Sequence, residues 1–217
     1  MKNTVEQARF NMVEQQIRPW DVLDMRVLDL LSKVKREQFV PPAQQGMAFM
    51  DMDIPLGHQV AMWQPKLEAR VLQELHIEPT DQVLEVGSGS GYLTALLCRL
   101  AKHVTSVEIV PELLAFAEKN LAAHHVDNVT LVRGDAAQGW PGNYDVIVLT
   151  GSVPVLPSAF QNSLKPGGRL FAIVGDAPAM RATLVSCVEP GIYESTILFE
   201  TDVALLQNVL QPKRFVF

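Results

Sequence analysis

The hydrophobic positions of this chain change period twice. Across residues 21–34, DVLDMRVLDLLSKV, Leu23, Val27, Leu30, Leu31 and Val34 recur every three or four residues. That spacing predicts an amphipathic helix, with Asp21 as its N-cap and Asp24 adding negative charge in its first turn. The stretch that follows, FVPPAQQGMAFMDMDIPLGHQVAMWQP, holds no period and is rich in Pro, Gln and Met. It reads as irregular but ordered structure wrapped over the rest, because its aromatic and Met side chains are costly to leave in water. Pro65 suits the first position of a helix whose apolar face is Leu67, Val71, Leu72 and Leu75.

From there short apolar runs alternate with helical ones. Strands are expected at 82–86, 103–109, 129–134, 144–150 and 169–175, and helices at 92–101, 111–124 and 157–164. Apolar strands separated by helices call for a parallel sheet covered on both faces. The runs TLVSCVE and ESTILFE, joined by Pro190 and Gly191, read as a hairpin that puts an antiparallel strand into that sheet.

Composition narrows the function classes. A chain of 217 residues, 48% hydrophobic and 19% charged, suits one main core with an appendage. A formal net charge of −6 argues against a nucleic-acid or anionic-membrane binder. The opening MKNTVEQARFNMVEQQIRPW has no signal-like apolar core, and no run is long enough to span a membrane, so a cytosolic protein is expected. Cys98 and Cys187 sit in apolar runs without ligand spacing, which reads as buried reduced thiols and no metal site.

The chemistry concentrates at VLEVGSGSG, residues 83–91, where a strand breaks into Gly87, Ser88, Gly89, Ser90 and Gly91 before a helix. Glycine at such a turn lets a ligand touch the main chain. Three carboxylates fall at or near the ends of successive strands: Glu85, Glu108 (followed by Ile109) and Asp135 (followed by Ala136). Glu108 can take the hydroxyls of a ribose and Asp135 an adenine amine, so the set outlines an adenosine. A nicotinamide loop normally reads G-x-G-x-x-G, one residue longer, and places a pyrophosphate where Glu85 would be unwelcome. A P-loop needs Lys and Ser or Thr where Tyr92 and Leu93 stand, and a hydrolase elbow needs Ser where Gly89 stands.

The series VLEVGSGSGYLTALL, SVEI, GDA and LKPGGRL is similar to the motifs of class I S-adenosylmethionine-dependent methyltransferases. With VKREQFVPP (34–42), MAFMDMDIPLG (47–57), the Gln64-Pro65 pair and YDVIVLTGSVPVLPSAFQNSLKPGGRLFAIVG (144–175), the chain resembles protein-L-isoaspartate O-methyltransferases from about Arg18 to Gly175. The resemblance implies a doubly wound, seven-stranded, mostly parallel α/β sheet with one antiparallel strand. Residues 1–63 would form N-terminal helices and a lid, the lid running from Pro41 to Met62, and residues 64–217 the cofactor-binding domain. It also implies S-adenosylmethionine as cofactor, S-adenosylhomocysteine as product, and the free carboxylate of an isoaspartyl residue as acceptor. Gly87, Ser88, Gly89 and Gly91 would wrap the methionine moiety, and Glu85 would contact its amino end or orient the loop. Glu108 with Ile109 would meet the ribose, and Asp135 with Ala136 the adenine.

One departure stands out. Where the family typically reads T-I-S-Q-P, this chain reads Ala61-Met62-Trp63-Gln64-Pro65. Trp63 is open to three readings: it packs the lid, it reshapes the pocket for another carboxylate acceptor, or it closes the pocket and leaves a cofactor-binding regulator. With Trp63 and Gln64, Thr150 and Ser152 are the candidates for holding an acceptor, being the nearest surviving hydroxyls. Arg18 and Arg36 could pair with its carboxylate or form surface salt bridges; His58 reads as a surface hydrogen-bonding group, and His124 and His125, at a helix end, as partners of the helix dipole. The terminal QPKRFVF, with Phe215 and Phe217, would dock on this domain or on a partner.

Overall fold

The computed structural model describes residues 2–212; the Phe215 and Phe217 reading lies outside them. Helix α1 (Lys2–Met12) leads through a π turn and a 3-10 turn into α2 (Met25–Lys33). The N-cap of α2 is Asp24, whose carboxylate accepts from Arg26 N at 2.7 Å, so the expected cap at Asp21 is corrected. Asp21 instead closes the preceding 3-10 turn in a left-handed conformation, φ 61°. Gln73, reaching over from α3 (Pro65–Leu75), takes the amides of Leu23 and Asp24 at 2.7 and 3.0 Å and delays the start of the helix. Leu23 is therefore outside and exposed, and Leu28 takes its place beside Val27, Leu30 and Leu31 on the buried face.

The segment without period is ordered. A 3-10 helix over Pro42–Met47 is followed by a two-stranded hairpin, β1 (Ile54–Gly57) and β2 (Val60–Met62), turning through His58 and Gln59, both at positive φ.

The main sheet contains β3 (Gln82–Val86), β4 (His103–Glu108), β5 (Val129–Arg133), β6 (Tyr144–Val153), β7 (Leu164–Val174), β8 (Met180–Glu189) and β9 (Ile192–Thr201). Its order is β5-β4-β3-β6-β7-β8-β9. Pairing is parallel from β5 through β7, and β8 is antiparallel to both neighbours, so it alone opposes the others. Helices α4 (Tyr92–Leu100), α5 (Pro111–Ala123) and α6 (Ser158–Asn162) supply crossovers. The order reverses between β3 and β6, the place where doubly wound sheets open a crevice beyond the carboxyl ends of their strands.

Each sheet face carries its own apolar cluster. Val83 belongs to one, with Leu96, Phe171 and N-terminal residues including Met12, Ile17, Leu31, Phe39 and Ile54. Leu84 and Val86 belong to the other, with Ile147, Leu149, Phe160 and Leu170. Strand alternation therefore points Glu85 to the same side as Val83, beneath α4. Cys98 and Cys187 are buried free thiols, and burial pushes the Cys98 thiol up to about 12. No helix among the described residues is long and apolar enough to cross a membrane.

Candidate active site

A cavity opens at the carboxyl ends of β3, β4 and β6. Its floor is the glycine loop. Gly87 has φ 98°, and a Cβ there would meet Thr150 Oγ1 at 2.2 Å. Gly91 has φ 80°, and a Cβ there would press on the backbone of Ala117 in α5 at 3.2 Å. Glycine is thus required at both ends of the loop, at one for the strand behind it and at the other for helix packing. The amide of Gly89 is held by Glu108 Oε2 at 3.0 Å, and Glu108 Oε1 takes the amide of Val110, also at 3.0 Å.

Of the residues singled out in the sequence, Trp63, Gly87, Ser88, Gly89, Glu108, Ile109, Asp135, Ala136 and Thr150 line this cavity. Gln64, Glu85, Gly91 and Ser152 do not. Gly91 supports the loop from behind. Gln64 precedes α3 and gives its amide to Asp53 Oδ1 at 3.1 Å. Ser152 is fully buried and donates to the carbonyl of Val203 at 3.1 Å, so it is corrected from acceptor candidate to structural hydroxyl. Thr150 faces the cavity, but its hydroxyl is directed to the carbonyls of Val86 and Gly87, both at 2.8 Å.

Glu85, expected to contact the amino end or to orient the loop, lies behind the loop and outside the cavity lining. It is fully buried, and its Oε2 accepts from Thr94 and Ser106, each at 2.6 Å. Ser106 in turn exchanges a 2.6 Å hydrogen bond with Ser88 of the loop. Burial pushes the Glu85 carboxyl up to about 8, opposed by its two hydroxyl donors, and its Oε1 has no hydrogen-bond partner. The neutral acid is the form such a pocket favours. Ser106 and Thr94 escaped the sequence reading, although Ser106 is the register partner of Glu85 across β3 and β4.

Arg36 is corrected as well. It has no solvent exposure and neither forms a surface pair nor reaches the cavity. It forms an ion pair with Glu68 of α3 and donates to the carbonyls of Ala48 at 2.9 Å and Trp63 at 2.5 Å. Trp63 is 6% exposed, and its ring lies edge-on to Phe171, with centroids 6.3 Å apart. It lines the cavity wall as part of the core, which favours packing among its three readings. Arg18 pairs with half-buried Glu14, as a surface bridge would. His58 is exposed in the hairpin turn, and His124 bonds Gln38 and the carbonyl of Asn120, each at 2.7 Å. No group of side chains suited to a metal occurs among the described residues.

The last wall was not foreseen. Val203–Gln207 folds back across β6, where Ser152 N donates to Ala204 O at 2.9 Å and Leu206 N to Ser152 O at 3.0 Å. Beyond it, Asn208 donates to Asp135 Oδ2 at 2.8 Å. No periodicity marks this segment in the sequence.

Comparison with known proteins decides the family. The sequence model described as Protein-L-isoaspartate(D-aspartate) O-methyltransferase matches residues 7–191. The chain belongs to this family. It is 42% identical over 198 residues to Protein-L-isoaspartate O-methyltransferase 1 of Anaeromyxobacter sp., covering 90% of this chain and 88% of that one. It is 41% identical over 169 residues to the Protein-L-isoaspartate O-methyltransferase of Methanoculleus marisnigri, covering 77% of each. The fold agrees with a family structure from Plasmodium falciparum in complex with S-adenosyl-L-homocysteine, at TM-score 0.80 and 19% identity over 92% of this chain and 98% of that one.

Proposed function

We propose that this protein is an S-adenosylmethionine-dependent O-methyltransferase acting on the free carboxylate of isoaspartyl residues in proteins or peptides. The observation that carries the reading is a single cavity, in a chain of this family, joining an adenosine-suited wall to a second wall made by the β1–β2 hairpin. The cofactor fits the residues present. The Gly87–Gly89 cradle leaves the main chain open, Glu108 ends the neighbouring strand β4, and Asp135 follows β5, the next strand out. In this assignment Gly87, Ser88 and Gly89 hold the methionine part, Glu108 and Ile109 the ribose, and Asp135 and Ala136 the adenine, while Gly91 and Glu85 fix the loop from behind.

When bound, S-adenosylmethionine supplies an electrophilic methyl group on a sulfonium. An isoaspartyl carboxylate is ionised at neutral pH and needs no proton removed before it attacks. The protein's work is then to position the acceptor oxygen and to exclude water. Trp63, Met62 and Leu56 make the apolar wall for that purpose, and Thr150 keeps the loop carbonyls turned away from the reacting carboxylate. Residues before Gln64 contribute the acceptor side and those after it the cofactor side. The buried thiols fit a reducing compartment, which supports a cytoplasmic location.

The test is transfer of labelled methyl to an isoaspartyl peptide beside its aspartyl twin. Base-labile label on the isoaspartyl peptide alone is expected. Equal labelling, or none from a protein that binds the cofactor, overturns the proposal.

A further inference from the structure

The charge of the cavity wall is one-sided. Asp53, Glu68, Glu108 and Asp135 line it, and no Lys, Arg or His among the described residues does. Glu108 and Asp135 are on the adenosine side, whereas Asp53 and Glu68 are on the side of the hairpin and α3. Glu68 is neutralised from behind by Arg36, which spends its remaining donors on the carbonyls of Ala48 and Trp63. Asp53 is half-buried, and among the described residues no cation forms an ion pair with it. Gln64 binds it through its amide at 3.1 Å, Arg36 acts on it from a distance, and Asp202, next to the Val203–Gln207 wall, faces it with like charge.

The bound sulfonium faces the acceptor carboxylate itself, so the charge of Asp53 acts on the residue beside it, attracting a cation and repelling an acid. We infer that Asp53 is a specificity-determining residue that receives a cationic side chain, a lysine or arginine adjacent to the isoaspartyl residue, and disfavours acidic neighbours. This rests on the acceptor reading given under Proposed function. The hairpin explains the placement: Asp53 immediately precedes β1 while Ala61 and Met62 lie in β2, so a residue beside the acceptor runs along the strand that Asp53 leads into. Burial raises the Asp53 carboxyl above its ordinary range, against the pull of the Gln64 amide and Arg36, and a bound ammonium would reverse that rise.

Three isoaspartyl peptides, identical except for Lys, Gln or Glu directly after the isoaspartyl residue, are assayed by labelled methyl transfer at saturating cofactor and low salt. The expected order of kcat/KM is Lys, then Gln, then Glu, spanning about tenfold for a half-buried charge contact and narrowing as salt is added. Asp53→Asn keeps an oxygen for the Gln64 amide and should bring the ratio close to one; Asp53→Ser replaces it if that variant does not fold. Equal kcat/KM for the three peptides with the natural protein overturns the inference while leaving the acceptor reading intact. So does an undiminished ratio in an Asp53 variant that still binds S-adenosylmethionine. Absence of transfer to all three peptides overturns the acceptor reading and this inference with it.

Discussion

Arg36 donates to the main-chain carbonyl of Trp63 at 2.5 Å while paired, without solvent exposure, to Glu68. One side chain thus ties the 3-10 turn after α2, the cavity wall and the first turn of α3 together. Replacing Arg36 by Met strands a buried carboxylate, and breaking such a pair costs about 3–5 kcal/mol. Urea unfolding should show that loss for Arg36→Met. Most of it should return in Arg36→Met combined with Glu68→Met, because two apolar side chains leave no charge unpaired.

Trp63→Ser restores the family's hydroxyl in sequence but not in space. The ring it removes is packed on Phe171 in the core, so the change should destabilise the fold by about 3–5 kcal/mol. Methyl transfer to an isoaspartyl peptide should fall or stay level. A gain in kcat/KM at unchanged stability would show that the ring obstructs the acceptor.

Glu85 makes stability depend on pH. Its folded carboxyl is raised to about 8 by burial, against about 4.3 when unfolded, so the folded chain holds the proton more tightly. The resulting stabilisation is complete below the unfolded value and is lost as pH rises through 8, at up to about 1.4 kcal/mol per pH unit. Glu85→Gln, which keeps an acceptor for Thr94 and Ser106, should flatten this decline. Denaturant unfolding of both proteins from pH 5 to pH 9 reads the difference directly.

Gly87→Ala should be damaging for two separable reasons, a left-handed φ and a collision with Thr150. Combined with Thr150→Ala, the collision disappears and the strain stays, so thermal stability should recover in part. Cofactor affinity should recover less, because the left-handed strain at residue 87 still deforms the loop that holds the cofactor.

Glu108→Ala should weaken S-adenosylmethionine binding by about 1.5–3 kcal/mol if the carboxylate carries the ribose contact, measured by calorimetry. Because Glu108 also anchors the amides of Gly89 and Val110, Glu108→Gln separates the roles: it keeps an acceptor oxygen for the loop and changes the charge. Unchanged affinity in both variants removes Glu108 from the ribose.

Much of the fold was legible because buried parallel strands are short apolar runs with polar ends, and QVLEV, 82–86, coincides with β3. The start of α2 was not, because Gln73, far along the chain, outbids the local preference of Asp21 for the cap. β7 begins at Leu164 rather than at 169, its Gly-containing start pairing irregularly with β6. At the site, the glycines and strand-end acids could be read from spacing alone. Arg36 and Glu68, Asp53 and Val203–Gln207 could not, since only the tertiary fold brings the hairpin and the segment after β9 to the same opening. Glu85 shows the boundary between the two: its position was clear, but not which side of the strand it would face.

The wall formed by Val203–Gln207 has a consequence for biosynthesis. On a ribosome the glycine loop emerges long before this segment, so β3 to β7 can assemble while the ligand site still lacks a side. A chain interrupted within β9 would carry the family's sequence signature and much of its sheet, yet leave Gly87 and Gly151 without the Leu206 side chain that packs on them. Screens that score such fragments by their motifs would count them as enzymes, whereas retention on immobilised cofactor would separate the finished molecules from the unfinished ones.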